Sequence, residues 1–196
     1  EVMGRHAGWI AAASALASRY ETDPPHIILM PEVPFAKKKF IDKVKQTVAN
    51  EGFCVVVASE GTRYKNGMFL ADSGLTDAFG HKQLGGVAPV LAQMISSIGL
   101  KNHWAVSDYL QRSARHISSK TDLDQAYAVG KKAVEFALAG KNAVMPVIKR
   151  LSNKPYKWKI ESASLSKVAN VEKTLPKGYI SKDGFQITKK GVAYLQ

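Results

Sequence analysis

Cysteine is almost absent from this chain: Cys54 is the single one in 196 residues. A lone thiol forms no internal disulfide and no cysteine-built metal centre. Its place inside the apolar run 53–58 makes it a small buried hydrophobe. Long hydrophobic runs are also missing. No stretch approaches the roughly 20 apolar residues of a membrane-spanning helix, and the sequence does not open on a basic segment leading into an apolar signal core. A cytoplasmic protein with no membrane partner is therefore expected. Acidic residues are scarce, 16 against 28 Lys and Arg, for a formal net charge of +12. Such a field draws anions of any kind. The basic residues are scattered, however, with short runs only at Lys37 to Lys39 and Lys189 to Lys190. They are not interleaved with aromatics as in a nucleic-acid-binding motif. A solvated basic surface is the expectation, and nucleic acid is not an expected partner.

What is present suits a globular fold. With 45% hydrophobic and 22% charged residues, the chain can build one core or two small ones. No internal repeat or low-complexity tract interrupts it. Residues 9–20 are Ala-rich, with Trp9, Ile10, Ala13, Leu16 and Ala17 at helical spacing, which predicts a helix packed closely on a sheet. The run 26–30, bounded by prolines and rich in Ile, reads as a buried strand. Phe40, Val44 and Val48 mark an amphipathic helix that Gly52 ends. The run 53–58 is a second buried strand, delivering Ser59 and Glu60 at its carboxyl end.

Residues 61–86 lack periodicity, and a loop of that length usually has a function. Then follow a helix at 87–98, a strand at 103–106, a polar loop at 108–116, a helix at 122–139 ended by Gly140, and strands at 143–148 and 156–161. Alternating strands and helices predict an α/β fold with a mainly parallel sheet and helices on both faces. Ligands of such sheets bind beyond the carboxyl ends of the strands, where Glu60 and the 108–116 loop fall. Residues 1–112 are expected to form the ligand-binding domain, 113–165 a crossover segment, and 166–196 a peripheral tail or partial element. Both ends read as cuts within a longer protein.

Three clusters hold the chemistry: Met3, Gly4 and Arg5 ahead of the first helix, Glu60 after a strand, and Tyr109, Leu110, Gln111 and Arg112, with Arg115 and His116, in the second loop. Arginine's planar fork suits phosphate oxygens, and a carboxylate accepts hydrogen bonds from sugar hydroxyls. Gly4 would let the backbone approach a ligand, and the following helix start adds favourable peptide dipoles. Each residue also has an ordinary reading. Met3 fits core packing, Glu60 a solvated loop charge, and Arg115 and His116 surface or capping groups. By themselves these residues define an anion-binding α/β domain and no reaction.

The strings MGRHAGWIAAASALA (3–17), PEVPF (31–35), SEG (59–61), DAFGHKQLGG (77–86) and YLQRSARH (109–116) resemble, in order and spacing, the second half of phosphofructokinases. Ala36 departs from the family, which has an acidic residue after PEVPF. The resemblance implies a phosphofructokinase-like fold and a phosphotransferase of glycolysis and gluconeogenesis, converting fructose 6-phosphate to fructose 1,6-bisphosphate. It implies substrate contacts from Met3, Gly4, Arg5, Glu60, Tyr109, Leu110, Gln111 and Arg112, with Arg5 also screening charge near the transferred group. Tyr-Leu-Gln-Arg-Ser-Ala, where ATP-dependent relatives carry a histidine followed by Ile-Gln-Arg-Gly-Gly, resembles the pyrophosphate-dependent branch. An ATP donor and a non-catalytic sugar-phosphate-binding module are the alternatives. The catalytic base and the Mg2+ ligands are implied to lie in the other half of the enzyme, with no metal ligand and no catalytic group here, so that this half alone would be inactive. Residues 113–162 would pack on that donor half. A homo-oligomer, at least a dimer, is also implied, with Lys101 or His103 reaching a neighbour's phosphate site.

Overall fold

A computed structural model describes residues 1–76, 82–84 and 86–196, with side chains outside 73–85. In chain order the elements are α1 (Trp9–Ala13), a 3-10 turn (Ser14–Ala17), β1 (Ile27–Leu29), α2 (Lys37–Glu51), β2 (Val56–Ala58), β3 (Asp72–Thr76), β4 (Lys82–Leu84) and α3 (Val87–Ser96). They continue with α4 (Leu110–Ser113), a 3-10 turn (Arg115–Ile117), α5 (Lys120–Leu138), β5 (Val144–Asn153), β6 (Tyr156–Ser164), α6 (Leu165–Val168), a 3-10 turn (Lys177–Tyr179) and α7 (Lys189–Leu195). The chain divides into two units, Glu1–Arg112 with Lys173–Gln196, and Ser113–Glu172.

The first unit is an α/β layer organised on β1. Side chains alternate across a strand, so Ile27 and Leu29 enter one core with Phe40, Val44, Val87 and Leu91 of α2 and α3. Ile28 and Met30 enter another, with Ala11 and Ala12 of α1 and Leu175. Helices thus cover both faces. β1 and β2 pair in parallel, Ile28 opposite Val57. Beyond β2 the layer continues through Val2, whose N–H donates to the Ala58 carbonyl at 2.9 Å, and through Ser107, whose N–H donates to the Glu1 carbonyl at 3.2 Å. α2 ends as its sequence dictates: Gly52 takes φ 80° and its N–H returns to the Val48 carbonyl, a left-handed cap in which a side chain would be strained.

Several expectations are corrected. The helix expected over 9–20 keeps its α form only to Ala13, because the Ser14 hydroxyl donates to the Ala11 carbonyl and competes with the backbone ladder. Residues 103–106 form no strand. They run alongside Glu1 but make too few backbone bonds for a ladder. The polar loop 108–116 contains the short helix α4. Residues 61–86 include the antiparallel pair β3–β4, Asp72 opposite Leu84. The string 77–86 otherwise lies outside the described residues, apart from Gly86. The stretch 166–196 is not peripheral in its last part, since Lys173–Gln196 belongs to the first unit, with Leu175 and Phe185 buried in its cores.

The second unit is an antiparallel hairpin, β5 with β6, on which α5 packs. Ser119 caps α5 by accepting from the Asp122 N–H at 3.0 Å. The Gln125 amide donates to the Tyr156 hydroxyl at 2.7 Å. Phe136 is buried, while Tyr127, Val134 and Leu138 of the same helix remain exposed. Among the described residues no helix is long and apolar enough to cross a membrane.

Candidate functional site

The carboxyl ends of the parallel layer converge on one stretch of chain. Val2 leads into Met3 and Gly4, β2 into Ser59 and Glu60, and the run ending at Ser107 into Asp108 and α4. Parallel strands send their following loops to one edge, which brings together residues more than 100 positions apart.

Four hydrogen bonds fix that edge. The Glu60 N–H donates to the Val2 carbonyl at 3.0 Å. The Gly4 N–H donates back to Glu60 Oε1 at 3.1 Å, and the Ser59 hydroxyl donates to the Gly4 carbonyl. The Met3 N–H donates to Gln111 Oε1 at 2.8 Å. Two glycines leave no room for a side chain here. Gly4 has φ 142°, and a Cβ on it would lie 2.7 Å from the Ala7 carbonyl oxygen. A Cβ on Gly61 would lie 1.9 Å from the Arg5 carbonyl oxygen, far inside van der Waals contact. The loop and the strand end are therefore locked backbone to backbone, so that Arg5 leaves from a defined position.

A cavity of about 400 Å³ opens here, lined by Met3, Glu60, Gly86, Trp104, Val106 and Asp108 among others, within the roughly 300–1,000 Å³ of small-molecule sites. Asp108 holds a left-handed backbone, φ 40°, a conformation Asp tolerates better than most residues. Trp104 and Asp108 were not singled out from the sequence. Their signal was only their place at the end of an apolar run leading into a loop.

Of the predicted residues, Met3, Gly4, Glu60 and Gln111 are brought into direct contact. Arg5 is half-buried between Gly4 and Gly61. Arg112 is exposed on α4, its guanidinium 5.7 Å from the ring centre of Tyr109, which with Leu110 is also exposed. Arg115 and His116 fall in the following 3-10 turn, in the second unit. Lys101 and His103 border a different cavity of about 680 Å³, formed against Val44, Val48, Phe53 and Leu91 of the first unit. Among the described residues no three His, Cys, Asp or Glu side chains stand together to hold a cation.

An open parallel α/β layer thus carries glycine-backed loops, a carboxylate and arginines at the carboxyl ends of its strands. The phosphofructokinase family model matches residues 1–137, and the chain belongs to that family. It is 61% identical over its whole length to a pyrophosphate--fructose 6-phosphate 1-phosphotransferase of Halomonas elongata, covering 47% of that protein. It is 57% identical, over 99% of its length and 47% of the relative, to the protein of that name from Xanthomonas campestris pv. campestris. A solved pyrophosphate-dependent phosphofructokinase from Marinobacter aquaeolei superposes with a TM-score of 0.84 at 55% identity, covering all of this chain and 45% of that one. The chain thus spans about half the length of the curated relatives it matches.

Proposed function

We propose that these 196 residues are the fructose 6-phosphate-binding, C-terminal half of a pyrophosphate-dependent phosphofructokinase. The reading rests on one observation above all: Glu60, at the end of a parallel strand, faces the cavity while one of its oxygens is anchored by the Gly4 N–H. A carboxylate held in this way is orientated to accept from sugar hydroxyls without rotating on binding. Met3 supplies the wall beside it, Gln111 ties Met3 to α4, and Arg112 with Arg5 provides the charge-assisted donors a phosphate requires.

In the reaction, the sugar's 1-hydroxyl forms a new O–P bond as a P–O bond of pyrophosphate breaks and orthophosphate leaves. Such transfer depends on positioning and on neutralising developing charge. This half contributes the acceptor's position, and Arg5 screens charge near the transferred group. The catalytic base and the ligands for Mg2+ lie, on this reading, in residues outside this chain. Pyrophosphate as donor follows the names of the Halomonas elongata and Xanthomonas campestris pv. campestris relatives. The enzyme acts in the cytoplasm and as at least a dimer, with Lys101 or His103 of one subunit near the phosphate site of its neighbour.

Arg112→Ala in the full-length enzyme tests the reading. Loss of a charge-assisted phosphate contact of about 1.5–3 kcal/mol raises KM for fructose 6-phosphate by roughly 10- to 150-fold and leaves KM for pyrophosphate near its starting value. Equal weakening towards both substrates would assign Arg112 a structural role. A full-length wild-type protein that binds the sugar phosphate but transfers no phosphoryl group would make it a binding module.

A further inference from the structure

The PEVPF string contains a carboxylate that the site does not use. Glu32 follows β1, on the same edge as Met3 and Glu60, and is half-buried. Its Oε1 accepts from the Gly8 N–H at 3.0 Å and from the Leu175 N–H at 2.9 Å, and its Oε2 lies 3.2 Å from the Gly8 nitrogen. Gly8 stands at the start of α1, where backbone donors lack helical partners. An ordinary cap would stop there. Here the same oxygen also takes a donor from 143 positions away.

A second bond joins the same two segments, the Trp9 indole N–H donating to the Lys173 carbonyl at 2.6 Å. The Lys173 ammonium then lies 5.5 Å from the centre of the Trp9 ring and 5.1 Å from that of Tyr194. Fit at Glu32 is tight, since a Cβ on Gly8 would meet Glu32 Oε2 at 2.9 Å and Met30 Cβ at 2.9 Å. The loop bearing Met3, Gly4 and Arg5 is thus pinned twice. Gln111 and Glu60 hold its beginning, and Glu32 holds its end together with the C-terminal segment.

We infer that Glu32 is a positioning residue for the sugar-phosphate loop, acting through Gly8 and clamped by Lys173 to Leu175. The inference rests on the proposed reading of Met3 to Arg5 as substrate contacts. With the far anchor removed, Arg5 departs from a loop free to shift, and the loss falls on the acceptor alone.

Full-length enzyme carrying Glu32→Ala, Glu32→Gln or Trp9→Phe tests it. Glu32→Gln retains an oxygen acceptor at the position of Oε1, whereas Trp9→Phe keeps an aromatic ring at this position and removes the indole donor. For Glu32→Ala we expect KM for fructose 6-phosphate to rise about tenfold, with kcat and KM for pyrophosphate within about twofold. Glu32→Gln restores KM to within about threefold of wild type, and Trp9→Phe raises the same constant in the same selective way. Hydrogen exchange provides a readout independent of turnover: Glu32→Ala exposes the Gly8 and Leu175 amides together, and Glu32→Gln keeps both protected. An unchanged KM for the sugar in Glu32→Ala overturns the inference, as do parallel losses towards both substrates or amides that remain protected. Should Glu32→Ala fail to fold, an unchanged KM in Trp9→Phe overturns it equally. A wild-type enzyme without fructose 6-phosphate turnover, yet with the expected exchange pattern, instead refutes the proposed function and leaves the clamp standing.

Discussion

At the scale of single residues, the site depends on atoms that are absent as much as on those present. Gly61→Ala places a methyl group onto the Arg5 carbonyl, and the backbone must move to admit it. Overpacking of this kind costs about 1–3 kcal/mol, so the midpoint of urea unfolding should fall and binding of the sugar phosphate should be lost with it. Cys54 behaves differently. Burial pushes its thiol up to about 11, leaving it protonated at neutral pH and slow towards thiol reagents. Because the folded value lies above that of the unfolded chain, the neutral thiol favours the fold below about pH 9, and this contribution is lost as pH rises towards 11. Labelling rates against pH, compared with those of the denatured chain, measure the shift. Residues of this scale differ in how well the sequence announced them. Glu60 was legible because a carboxylate directly after an apolar strand falls at a known place in an α/β layer, although of β2 only Ala58 is fully buried. The meaning of Glu32 was hidden, since its partners Gly8 and Leu175 lie 24 positions before it and 143 after it. Trp104 and Asp108 were equally hidden, because only folding turns them towards Met3 and Glu60.

Elements with local causes were the readable ones. α2 is written in the spacing of Phe40, Val44 and Val48 and in Gly52, and β1 in an Ile-rich run between prolines. Their tests are local too. Ser119→Ala removes the acceptor for the Asp122 N–H, which should cost about 1 kcal/mol, visible as a lower denaturant midpoint with an unchanged slope. Elements with distant causes were misread. The run 103–106 has strand-like residues, yet a strand exists only where another segment completes its ladder, and here Glu1 and Ser107 supply little of one. The end of α1 turned on one hydroxyl, Ser14, bonding back to Ala11, a choice that periodicity in Ala and Leu does not reveal. In 166–196 the isolated apolar residues gave no period at all, although Leu175 and Phe185 fill holes in two different cores.

For the whole molecule, the apolar surface left uncovered predicts behaviour in solution. Tyr127, Val134 and Leu138 project from α5, and Phe53 is half exposed beside β2. Phe136 of α5 is buried, with the Lys141 ammonium 4.4 Å from the centre of its ring. Apolar area of this extent seeks burial, so the 196 residues produced alone should self-associate, giving a concentration-dependent mass by light scattering. They should also show no phosphotransferase turnover, because on the proposed reading they form one side of a cleft, and half a cleft does not rebuild the missing geometry. A monodisperse, active monomer would refute both expectations. The Glu32 clamp finally bears on the order of events during synthesis. Met3 to Gly8 are among the first of these residues to leave the ribosome, yet Leu175, one of the donors that hold them, is among the last. A nascent chain stalled before Lys173 would hold the substrate loop at its beginning, through Gln111 and Glu60, but not at its end, and its full affinity for the sugar phosphate would wait for Lys173 to Leu175 to emerge.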